Sequence, residues 1–107
     1  MAGVGLSQAV VRELGRLTRA FRFAGRGVVY MLRTQGNARW HAVATGVVAV
    51  AAWVLQVRGT QAGLLMVAVG LVWAAEAFNT ALEALADRCA PEPHPLVAAA
   101  KDAAAAG

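Results

Sequence analysis

Cysteine is nearly absent from this chain. Cys89 stands alone among 107 residues, so no internal disulfide and no cysteine-based metal site can form. Aromatics make up only 7% and are not interleaved with the basic residues, as a stacking platform for nucleic acid requires. No nucleic-acid partner is expected. Lysine occurs once, at Lys101, so the pI near 10.7 comes mostly from arginine. All three prolines fall within residues 91–95, where they stop a helix. There is no Walker-type Gly-rich loop and no protein-kinase signature set, which excludes a soluble P-loop ATPase or protein kinase as the source of the fold. The first forty residues carry seven Arg and no apolar core of signal length, so a cleavable signal peptide is not expected. Apolar residues are in excess. They make up 59% of the chain, with a mean hydropathy of +0.54, above the soluble-domain norm.

The excess sits in two runs. Residues 42–57 are apolar apart from Thr45 and Gln56, and residues 62–75 carry no charge. Extended back to Trp40, the first run gives a span over 40–57, with Arg39 and Trp40 at a membrane–water boundary. The second span covers 62–88. Before them, residues 7–33 read as an amphipathic helix with Ser7 as its N-cap. Val10, Leu14, Leu17, Phe21, Ala24, Val28 and Leu32 fall within an arc of about 80°, opposite an arginine arc of about 120°. Such a helix lies in the interface with its guanidinium groups toward lipid headgroups. Thr34 to Asn37 reads as a turn, Arg58 to Gln61 as a second turn, and 90–95 as a cytoplasmic loop. Residues 96–106 have helix-forming composition. The chain is thus expected to be one all-α membrane domain over 1–107, an integral membrane helical bundle. Nine of its ten Lys and Arg flank the two spans on one side, with Arg58 on the other, which puts both termini in the cytoplasm.

The second span ends in a polar row of Glu76, Asn79, Thr80, Glu83 and Asp87, which share one face of a helix. An acid inside a membrane helix is costly and marks a functional site by default. Glu76 lies deepest and suits a general base; its structural alternative is a partner for an arginine on another helix. Glu83 lies near the interface, where a divalent cation keeping its waters can bind, or where a surface acid simply snorkels. Asn79 and Thr80 also suit helix–helix contacts. Asp87-Arg88 and Lys101-Asp102 are ordinary charged pairs unless they meet phosphate. Together these parts point to phosphoryl transfer, which needs a cation, basic groups and a residue to orient the nucleophile.

Glu76 to Arg88, read as Glu-x-x-Asn-Thr-x-x-Glu-x-x-x-Asp-Arg, is followed after a short loop by Lys101-Asp102. It closely resembles the prokaryotic diacylglycerol kinase and undecaprenol kinase family of small homotrimeric membrane kinases. Arg26-Gly27 and Asn37-Ala38-Arg39-Trp40-His41 extend the resemblance over residues 16–106. The resemblance implies Glu76 as the base that takes the lipid hydroxyl proton and Glu83 as a ligand of Mg2+. It implies Asn79, Asp87, Lys101 and Asp102 around ATP and its phosphates, with Arg16 as a basic contact from the surface helix. Two departures stand out. The family's second metal ligand is a Glu where this chain has Gln35, a weaker ligand. The family's third membrane helix would begin where this sequence reaches Gly107, so two spans are expected with the third missing.

The implied function is transfer of the ATP γ-phosphate to a membrane lipid hydroxyl at the cytoplasmic face of the bacterial inner membrane. The His41 type of lead-in segment leans toward undecaprenol, with diacylglycerol second. Packing between copies through Gly46, Gly63, Gly70 and the alanines would shield Glu76. The alternative is an inactive homologue serving as scaffold or regulator, favoured by Gln35 and the missing helix. A soluble helical domain is disfavoured by the two uncharged runs.

Overall fold

The computed structural model describes residues 2–107. Among them are four helices and no strand: α1 (Ala2–Thr34), α2 (Gly36–Val54), α3 (Thr60–Cys89) and α4 (Pro95–Ala106). The chain divides into two compact units, one ending at Tyr30 and the other running from Met31 to Gly107.

The first unit is the long part of α1. Its side chains are exposed along the whole length from Gly3, with Leu14, Leu17 and Phe21 on the apolar side. Ser7 is not the N-cap expected of it; α1 already runs from Ala2, so Ser7 lies inside the helix. Helical hydrogen bonding does not need a capping hydroxyl where the first turn can be solvated. Thr18 Oγ1 donates to the Leu14 carbonyl at 2.8 Å, the back-bond by which a hydroxyl is tolerated in a helix interior.

The second unit begins with the last turn of α1. The expected four-residue turn at 34–37 contracts to Gln35 alone, in an extended conformation at φ −112° and ψ 115°. Its N–H still closes α1 on the Met31 carbonyl at 2.9 Å, and one extended residue is enough to let the next helix start. Consequently α2 begins at Gly36 rather than Trp40, and it ends at Val54 rather than Val57. Its C-terminus is a Schellman turn. Gln56 N–H bonds to the Trp53 carbonyl and Val57 N–H to the Ala52 carbonyl, with Gln56 in the left-handed region at φ 58°. Gly59, at φ 63° and ψ −134°, then turns the chain into α3, a conformation that a Cβ would strain.

Beyond α3, the proline loop ends with Pro95 at the first position of α4, where its missing N–H costs no helical hydrogen bond. The N-cap is His94, whose Nδ1 accepts from the Leu96 N–H at 3.0 Å. Helix α3 packs against both α2 and α4.

Burial in this unit is inverted. Among the described residues, the buried ones are Met31 and Ala38 together with Glu76, Asn79 and Thr80. Large apolar side chains such as Val47, Val50, Leu64 and Leu71 face outward, each more than half exposed. Among the described residues one helix, α3, is long and apolar enough to cross a membrane.

Candidate active site on the polar face of α3

Helical spacing brings Glu76, Asn79, Thr80, Glu83 and Asp87 onto one side of α3, and that side lies against both neighbours. The deep end is closed. Glu76, Asn79 and Thr80 keep 7%, 8% and 5% of their surface exposed. Thr80 Oγ1 donates to the Glu76 carbonyl at 2.9 Å, which satisfies the hydroxyl without a partner helix. Glu76 Oε2 lies 3.4 Å from His41 Nε2 on α2. Its other oxygen, Oε1, is buried with no hydrogen-bond partner among the described residues, and so is Asn79 Oδ1.

Both side chains line a cleft of about 210 Å3 that is completed by Asn37 and His41 of α2 and by Ala104 and Ala105 of α4. A buried acceptor without a donor costs about 1–3 kcal/mol. Two acceptors facing one cleft therefore favour an occupant that brings a hydroxyl, an ammonium or a cation.

The shallow end is charged and open. Lys101 Nζ on α4 bonds Asp87 Oδ1 at 2.6 Å and lies 3.7 Å from Glu83 Oε2. The bond to Asp87 holds the Lys101 ammonium above its usual pKa of 10.5; desolvation opposes it, and the charges of Asp87 and Glu83 add to the rise. Glu83 is half-buried, Asp87 exposed. Asp102 is exposed on α4, beside Lys101 in sequence. Gln35 is half-buried at the break before α2. Arg16 lies in the first unit, exposed and paired with Glu13 at 3.0 Å. The structure thus brings Glu83, Asp87 and Lys101 together at one end and Glu76 and Asn79 at the other.

Mg2+ commonly takes only one or two carboxylates and completes its octahedron with water and substrate phosphate. Among the described residues no group of three His, Cys, Asp or Glu is placed to hold a metal. Glu83, half-buried on α3, and Gln35, half-buried at the break before α2, each offer a hard oxygen donor.

His41 as the partner of Glu76 is what sequence reasoning missed. The signal was there: Asn37, His41 and Thr45 recur every four residues, a polar stripe along an otherwise apolar helix. Thr45 Oγ1 donates to the His41 carbonyl at 2.7 Å and accepts from Trp73 Nε1 at 2.9 Å. That contact joins α2 to α3 one turn before Glu76.

Comparison with known proteins adds an independent line. The family model for prokaryotic diacylglycerol kinase matches residues 22–107. Undecaprenol kinase of Bacillus subtilis (strain 168) is 34% identical over 93 residues, covering 87% of this chain and 76% of that protein. No solved structure matches.

Proposed function

The chain belongs to the prokaryotic diacylglycerol kinase family, and from that membership we propose a membrane lipid kinase that passes the γ-phosphoryl group of ATP to undecaprenol, with diacylglycerol as the second candidate. The observation that carries the proposal is the pair of buried, partnerless acceptors, Glu76 Oε1 and Asn79 Oδ1, in one cleft. A lipid hydroxyl brings the donor that this cleft lacks.

Chemically, the hydroxyl proton passes to the Glu76 carboxylate as the hydroxyl oxygen bonds the γ-phosphorus and the bond to ADP breaks. A positioned base of this kind contributes about 10²- to 10⁴-fold. Asn79 orients the hydroxyl or the phosphate from the neighbouring turn. Lys101 exchanges Asp87 for phosphate oxygens and neutralises their charge, while Asp87 and Asp102 help seat the nucleotide. Glu83, with Gln35 as a neutral second ligand, would hold Mg2+. When bound, that ion neutralises phosphate charge.

The membrane arrangement is part of the same proposal. Helices α2 and α3 cross the bacterial inner membrane, α1 lies in the interface, and both termini and the site face the cytoplasm. The outward-facing apolar side chains and the inward-facing acids suit a lipid surround. Three copies complete the bundle. A second reading, an inactive scaffold, is favoured by one observation: Gln35 stands where a carboxylate ligand is expected.

The deciding experiment is transfer of labelled γ-phosphate from MgATP to undecaprenol and to diacylglycerol in mixed micelles, with Glu76→Gln as control. Product with one lipid, lost in the control, supports the kinase and its substrate. No product from folded protein with either lipid sinks it and leaves the scaffold.

A further inference from the structure

A carboxylate offers two equivalent oxygens and rotates easily about its last torsion, which is broad and roughly two-fold. At Glu76 the two are not equivalent. Oε2 faces the imidazole of His41 at 3.4 Å, while Oε1 is buried and partnerless among the described residues, on a side chain that lines the cleft. The α2 backbone that carries the imidazole is held in register. The Thr45 hydroxyl ties the His41 carbonyl to Trp73, so α2 and α3 meet at two points one helical turn apart, Thr45 with Trp73 and His41 with Glu76. The other described side chains lining this cleft carry no charge. Asn37 comes from α2, Asn79 from α3 itself, and α4 contributes Ala104 and Ala105, with Gly107 just beyond it. His41 is therefore the one ionisable side chain that shares the cleft with Glu76 among the described residues.

We propose that His41 is the positioning residue of the Glu76 base: its Nε2–H holds Oε2 and thereby presents Oε1 to the substrate hydroxyl. The inference rests on the lipid-kinase reading and deepens it. In the transfer step the lipid proton passes to Oε1, and the imidazole keeps its own proton on Nε2 throughout. No further acid or base is required. Removing the imidazole leaves Glu76 able to accept a proton but lets its carboxylate turn away. The loss should fall on turnover and spare ATP binding. Misplacing a reacting group by about 1 Å costs on the order of 100-fold.

The test pairs kinetics with a measurement that needs no turnover. In mixed micelles, His41→Ala should lower kcat by about 10- to 100-fold with KM for ATP unchanged. His41→Gln, whose amide can donate from a similar position, should recover part of that loss, which a packing role would not explain. In parallel, ¹⁵N shifts of the His41 ring in detergent should report a protonated Nε2 in the unaltered protein. They should change in Glu76→Gln and stay unchanged in Asp102→Asn.

Wild-type kcat in His41→Ala, with Glu76→Gln dead, overturns the positioning role and leaves the kinase reading standing. Full activity in Glu76→Gln overturns both. Should no lipid be phosphorylated, or His41→Ala fail to fold, the ring shifts still decide the contact: identical His41 nitrogens in Glu76→Gln and unaltered protein overturn it.

Discussion

Glu76 is a carboxylate with one oxygen beside His41 and the other buried and unpartnered among the described residues, on a helix that is long and apolar enough to cross a membrane. Glu76→Gln keeps its size and should abolish phosphoryl transfer by a factor of about 10² to 10⁴ without lowering the unfolding midpoint in detergent; the two are read from one preparation. Gln35 sets the second prediction. A carboxylate binds Mg2+ better than an amide does, so Gln35→Glu should move half-activation to lower Mg2+ by on the order of tenfold. An unmoved Mg2+ titration would exclude residue 35 as a ligand. The third concerns Lys101, whose ammonium is held above its usual pKa of 10.5, chiefly by Asp87. A group with a raised folded pKa stabilises fully below its unfolded pKa, and the effect is lost as pH rises through the folded value. Thermal midpoints should therefore fall as pH climbs past about 10.5, and Lys101→Met should flatten that part of the profile.

Among the helices, the connections are set by single residues. Gln56 occupies a left-handed position that favours glycine, partly offset by its side-chain bonds to the Trp53 carbonyl and to Arg58. Gln56→Gly should stabilise the hairpin by about 0.5–1 kcal/mol in denaturant titrations in detergent, and a loss of stability would mean those side-chain bonds dominate. Trp73 to Thr45 is the interhelical hydrogen bond that fixes the register of α2 on α3. Trp73→Phe and Thr45→Val should each cost about 0.6–1 kcal/mol, and their combination should cost less than the sum. Helix existence was legible from periodicity here, and helix ends were not. The break at Gln35 and the Schellman turn at Gln56 depend on backbone torsions that a polar tetrapeptide does not specify. Proline cannot continue a helix, so the sequence pattern puts Pro95 in the loop, yet it opens α4, where the same missing N–H costs nothing.

For the whole molecule, the informative fact is which side chains are hidden. Acid, amide and hydroxyl are inside, and valine, leucine and tryptophan are outside, the reverse of a water-soluble domain. Gly46, Gly63 and Gly70 would meet nothing within 4 Å if they carried a Cβ. The arginine face of the first unit is likewise exposed. The protein should stay with the membrane pellet after an alkaline wash, and bifunctional cross-linking in mild detergent should give a discrete oligomer. Release into the supernatant would contradict the two-span arrangement.

The order of residues alone determined the family resemblance, the helical class and the shared face of Glu76, Asn79, Glu83 and Asp87. The resemblance lies in the motif residues themselves; the helical class and the shared face follow from composition and from a period of 3.6, which are local properties. Only the tertiary structure decided what stands opposite that face. Residues 35 and more positions apart in sequence, His41 with Glu76, come within reach because α2 folds back on α3. Lys101 reaches Asp87 and Glu83 because α4 folds back on α3 as well. Which oxygen of Glu76 meets His41 and which is left without a partner is set by that packing, and no spacing rule within one helix contains it.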